Sequence, residues 1–149
     1  MRKYALAAFG ALLFASFAAA GQQQPAPAGR TLKLKINYTG AGTVDEKHKI
    51  YVFVFDTPDF TNGDVMPAAF GNTSAKDGVV GVPDLASSPV YVVAAYDPSG
   101  EYDGMSGPPP SGASITIYSK TPGKPEPITI EPGATAEVEI AFDDSQKMP

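Results

Sequence analysis

Leu32, Leu34, Ile36 and Tyr38 alternate with Lys33, Lys35 and Asn37. A period of two with one charged face predicts a half-exposed strand over 31–38. The same rhythm returns near the C-terminus. There Ala136, Val138, Ile140 and Phe142 are expected to point inward, and Glu137 and Glu139 outward. Between these two stretches the pattern changes. Ile50, Val52 and Val54 form one apolar face of 49–55, and Tyr51, Phe53 and Phe55 form the other. A strand apolar on both faces belongs in the middle of a sheet. Val90 to Tyr96 is the densest apolar run after the N-terminus, and it stops at an acidic loop rich in Gly and Pro. It reads as the buried strand around which the others are arranged. Weaker strands are expected over 68–74, 79–82, 114–118 and 128–130, each bounded by turn formers such as Lys76-Asp77-Gly78 and Glu131-Pro132-Gly133. No segment beyond the N-terminal apolar run has helical period. The expected fold class is all-β, an antiparallel β-sandwich of seven to eight strands.

The first twenty residues stand apart. Arg2 and Lys3 precede an apolar run from Tyr4 to Phe17, and Ala18-Ala19-Ala20 follows. A positive n-region, an apolar h-region and a small-residue site predict a secretory signal peptide, cleaved after Ala20 or Gly21. The expected organisation is a signal peptide over 1–20, a flexible linker over 21–30, a β-sandwich domain over 31–143 and a polar tail over 144–149. The linker reading rests on the sequence QQQPAPAG, which has nothing to bury. The implied location is secreted or periplasmic, with no membrane insertion after cleavage. The chain has no cysteine, so disulfides and thiolate metal sites are excluded and the core alone must hold the domain. Loss of Arg2 and Lys3 leaves 9 Lys and Arg against 16 Asp and Glu, a net charge of −7. That balance argues against nucleic acid or an anionic membrane surface as partner.

The run Lys76-Asp77-Gly78-Val79-Val80-Gly81-Val82-Pro83, followed by Tyr91-Val92-Val93-Ala94-Ala95, resembles the carboxypeptidase regulatory-like family. The ending Ile128-Thr129-Ile130-Glu131-Pro132-Gly133, then Ala136 to Ile140, resembles the last hairpin of that family. The family's Pro-Gly-x-Tyr corner is replaced by Asp84 to Pro89. The resemblance covers 31–143. It implies a transthyretin-like (prealbumin-like) sandwich, a Greek key of the transthyretin/Ig kind. It also implies an exported module without catalysis, places Tyr91 and Val93 in the core with Ile50, Val52 and Val54, and names no ligand.

Two places carry candidate chemistry. Asp97, Ser99, Glu101 and Asp103 lie at alternate positions of the long loop, and calcium takes several oxygen ligands from such loops. The sixth and twelfth positions are Tyr102 and Pro108, so the loop is not an EF-hand. If strands alternate in direction, the loops at 39–48, 75–78 and 97–113 share one end, which brings Asp45, Glu46 and Asp77 nearer. The second place is an aromatic face of Tyr51, Phe53, Phe55 and Tyr96, with Val92 and Ala94. If uncovered, it is a surface for an envelope protein or polysaccharide. His48, the lone histidine, sits in a polar loop. No nucleophile elbow, histidine pair or phosphate loop is present, so the chain does not read as an enzyme. The leading expectation is an exported, non-catalytic β-sandwich module for binding or protein interaction at the cell envelope, without cofactor. The alternatives are a calcium-stabilised structural or adhesive surface domain and a small carboxylate-dependent hydrolase.

Overall fold

The computed structural model describes residues 28–60 and 64–149. The expected signal peptide and most of the expected linker lie outside the described residues. Seven strands form: β1 (Arg30–Tyr38), β2 (Ile50–Phe55), β3 (Ala69–Thr73), β4 (Val79–Leu85), β5 (Tyr91–Tyr96), β6 (Ser114–Ile117) and β7 (Thr135–Phe142). They build two sheets, ordered β4-β1-β7 and β3-β2-β5-β6. The fold is therefore an all-β sandwich. No strand forms at 128–130, where Ile128 makes only an isolated bridge to Val90.

Pairing is antiparallel with one exception. β1 and β7 run parallel, in unbroken register from Thr31↔Thr135 to Tyr38↔Phe142. The chain changes sheet between β1 and β2, β3 and β4, β4 and β5, and β6 and β7. A first and last strand in one sheet must lie parallel when an even number of reversals brings the chain back in the same direction.

The core fills the space between the sheets. Leu32, Leu34, Ile36 and Tyr38 face it from β1, and Ile50, Val52 and Val54 from β2. On β7, Ile140 and Phe142 are buried, Ala136 and Val138 pack partly against the core, and Glu137 and Glu139 are exposed. The two glutamates pair with Lys33 and Lys35 on the outer surface. Ile140→Ala is expected to cost about 2–5 kcal/mol, as truncating a buried isoleucine does. Glu139→Ala should stay within about 0.5 kcal/mol, because exposed ion pairs contribute little. Equal effects in urea titrations would show a β7 register shifted by one residue.

Pro83 does not end β4, which continues to Leu85. A proline is tolerated there because β4 lies at a sheet edge. The two ends of the domain are also tied in more than their composition suggests. Arg30, at the end of the expected linker, donates to the carbonyls of Ile130 and Ala86. Of the expected tail, the Met148 N–H donates to Ala113 and its carbonyl accepts from Gly112, while the Gln146 carbonyl accepts from Ile115. Residues 146–148 thus lie along the open side of β6, joined to it by an isolated bridge of Ser114 with Lys147.

Candidate functional site

Strand alternation gives sheet β3-β2-β5-β6 a second apolar face, turned away from the sandwich core. Residues paired across neighbouring strands share a face. Phe53 pairs with Phe70 on one side and Val93 on the other, Tyr51 with Ala95, and Phe55 with Tyr91. These residues therefore point outward together. On the same register Val92, Ala94 and Tyr96 pair with Val54, Val52 and Ile50, and point into the core. The expectation that Tyr96, Val92 and Ala94 join the aromatic outer face is corrected, as is the inward placement of Tyr91 and Val93. The Tyr96 ring lies 4.7 Å from that of Tyr38, and its hydroxyl donates to the Thr43 carbonyl at 2.8 Å.

Nor is the outer face open. Tyr51, Phe53 and Phe55 are only 7%, 5% and 8% exposed. Two loops cover them. From the loop after β2, Phe60 stacks on Phe55 with ring centres 4.6 Å apart, and Val65 packs alongside. From the loop after β5, Tyr102 meets Tyr51 edge-on at 5.2 Å and lies 6.3 Å from Phe53. The Tyr51 hydroxyl donates to the Tyr102 carbonyl, and the Tyr102 hydroxyl to that of Gly107, both at 2.7 Å. Burial raises the Tyr102 phenol to about 12. Gly104 has φ +78°, and a Cβ there would meet the Tyr51 ring at 2.5 Å, so close approach of the loop requires glycine.

Large apolar side chains remain exposed around this covered face. Phe70, on edge strand β3, is 42% exposed. Met66 and Met105, one from each covering loop, are 76% and 69% exposed.

The acidic residues of the long loop serve the loop itself. Asp97 is buried, and its carboxylate accepts from the Ser99 N–H and hydroxyl and from the N–H groups of Glu101 and Tyr102. Burial pushes its pKa up, but these donors more than offset that and hold it below the usual carboxylate range. Asp103 accepts from the Ser106 hydroxyl and from the N–H groups of Ser106 and Met105, which lower its pKa in the same way. Ser99 is spent within the Asp97 turn, and Glu101 is exposed. The expected sharing of one end is seen. Glu46 accepts from Ser74, Lys76 donates to Gly40, and a Cβ on Gly100 would meet the His48 ring at 2.8 Å. Asp45 accepts from the N–H groups of Lys47 and His48 and lies 2.9 Å from the His48 ring. Even so, no three Asp, Glu or His side chains come together as a metal cage among the described residues.

One polar cluster had no signal in the sequence. Asp144 accepts from the hydroxyls of Tyr38 and Ser114, each at 2.6 Å, and from the Ala41 N–H at 2.9 Å. Lys147 donates to Ser114 at 2.7 Å and lies 3.1 Å from Asp144. The hydroxyls of Ser114 and Tyr38 lower the Asp144 pKa, with the Ala41 N–H. Burial, then the bond to Asp144, raises Tyr38 to about 12. Ser114 is fully buried and already donates its proton to a carboxylate, so its oxygen cannot reach a substrate. The cluster is a latch that ties the end of β1, the start of β6 and the tail together. Its members come from three distant segments, and no local spacing betrays it. Among the described residues every buried polar side-chain atom has a hydrogen-bond partner. No helix of the described residues is long and apolar enough to cross a membrane.

No protein-family model matches the chain, and no curated protein matches it in sequence.

Proposed function

We propose that the chain is an exported, non-catalytic β-sandwich module that engages a protein partner at the cell envelope through the rim of its outer aromatic face. The observation that carries this reading is Phe70, 42% exposed on an edge strand directly beside the buried Phe53. Aromatic anchors of this kind supply much of the energy of protein interfaces. Export rests on the N-terminal pattern of charge, apolar run and small residues. The absence of catalysis is supported by the engaged state of the candidate groups, since Asp97, Asp103 and Asp144 accept bonds from the chain's own donors. The family resemblance points the same way.

The test is capture from an envelope extract by the mature protein and by Phe70→Ser, with and without a chelator. Wild type should retain a protein that Phe70→Ser loses at least ten-fold, with melting temperatures within about 3 °C of each other, because an exposed side chain contributes little to stability. Equal capture by both proteins refutes the proposed surface. Retention of a polysaccharide in place of a protein refutes the partner class. Capture that vanishes with chelator favours the calcium-stabilised alternative.

A further inference from the structure

Each sheet of an open sandwich ends in edge strands whose unpaired backbone groups can accept another strand. Three of the four edges here are blunted. β4 carries Pro83, Asp84 at φ 56° and a register break against β1. β3 has only five residues. β6 has only four residues, and residues 146–148 cap its start. β7 has eight residues, no proline, no lysine and no break in register.

The hydrogen bonds fix which of its groups look outward. The Thr31 N–H donates to the Ala134 carbonyl and the Thr39 N–H to that of Phe142. In a parallel pair, alternate residues bond to the neighbour. The even-numbered residues of β7 are thus turned to β1. Thr135, Glu137, Glu139 and Ala141 present N–H and C=O to the open side. Beside the C-terminal end of β7 lies a cleft of about 290 Å³, where the polar tail residues Asp143, Ser145 and Gln146 meet Phe142, Ile115 and Thr116. Val138 and Ala136 point toward the core yet stay only partly buried, because none of the described residues closes that flank.

We propose that β7 is a site of strand addition for an extended partner segment with lysine or arginine at alternate positions. Its backbone would pair with the four outward residues. Its apolar side chains would cover the flank over Ala136 and Val138, and its cations would lie on the open side of Glu137 and Glu139, across from Lys33 and Lys35. Opposite charges across strands stabilise pairing, and like charges directly opposite oppose it. That rule disfavours a second copy, since antiparallel pairing of two β7 strands centred on residue 137, 138 or 139 sets glutamate against glutamate. The chain's net charge of −5 favours a basic partner in the same direction. This site is independent of the Phe70 surface, because β3 and β7 are at opposite edges of the sandwich.

The probe is a synthetic eight-residue peptide alternating valine and lysine, with a valine–glutamate peptide as control. Fluorescence anisotropy measures affinity, and amide exchange by NMR locates binding. The valine–lysine peptide should bind at least ten-fold tighter than the control and slow exchange at Glu137, Glu139 and Ala141. Glu137→Gln with Glu139→Gln should weaken it about ten-fold without loss of fold, since both side chains are exposed. Glu139→Pro removes an outward N–H that β1 does not use, and it should abolish protection. Should that variant misfold, the double glutamine variant still decides. Binding of both peptides alike, or binding without protection of these amides, overturns the proposal. So does protection of the same amides in a dimer of the protein alone. Phe70→Ser should leave peptide affinity unchanged, which separates this site from the rim surface.

Discussion

Phe53→Ala should lower the free energy of unfolding by about 3–5 kcal/mol, the range for removing a buried aromatic ring. Phe53 sits on the side of its sheet that faces away from the sandwich core, where a small domain ordinarily meets water. Here the side chain is 5% exposed, with Val93 and Phe70 across the strands and Tyr102 above it. Deleting the ring leaves a void between the sheet and a loop. That loop is pinned at both sides of Tyr102, by the Asp97 turn and by the bond from Tyr51, so it can collapse only in part. Val54→Ala probes the opposite face of the same strand and should also be destabilising, though by less, because fewer atoms are removed. Urea titrations of both variants provide the check. A loss below about 1 kcal/mol for Phe53→Ala, beside a clear loss for Val54→Ala, would show that the covering loop is lifted in solution and the aromatic face is open.

The second large effect is expected at Asp144. Asp144→Ala orphans the hydroxyls of Tyr38 and Ser114, which are 2% and 0% exposed. Leaving buried donors without an acceptor costs about 1–3 kcal/mol for each, so a loss of about 2–6 kcal/mol is expected. The pH dependence follows from the direction of the shift. Asp144 titrates lower in the folded chain than in the unfolded chain. Its contribution is present above the unfolded value of about 4 and is lost as pH falls through the folded value. The gap in stability between wild type and Asp144→Ala should therefore be wide at pH 7 and narrow steadily below about pH 4. Tyr38 adds the opposite limb. Its phenol is raised to about 12, so the stability tied to its proton is full below the unfolded value of about 10 and is lost between the two. A gap that stays constant from pH 7 to pH 2 would mean that Asp144 does not hold the two hydroxyls in its charged form.

The strands of this sandwich were legible where one face is charged. Lys33 and Lys35 in β1, and Glu137 and Glu139 in β7, tell inside from outside without ambiguity, and both strands face as the pattern predicts. β5 was legible as a strand but not in its facing. Val and Ala fill both of its sides, so period two locates the strand and is silent on which side meets the core. Only the pairing of Tyr96 with Ile50 decides it. The shared end of three loops followed from strand alternation alone. The loop acids were legible as turn formers, and their side-chain oxygens bond to backbone a few residues away, as short acidic side chains in turns do. The Asp144 latch was not legible, because Tyr38 and Asp144 are 106 residues apart and nothing in the polar tail marks it as docked.

The parallel pairing of β1 with β7 also sets how the domain carries load. Its first strand enters at one end of the sandwich, and its last strand leaves at the other. Tension applied between residues 30 and 142 runs along both strands in opposite senses, and the ladder from Thr31↔Thr135 to Tyr38↔Phe142 is strained in shear. Hydrogen bonds in shear must yield together, whereas a hairpin pulled at its open end unzips one pair at a time. A force pulling on these two strands from opposite ends would therefore load their ladder in its more resistant geometry.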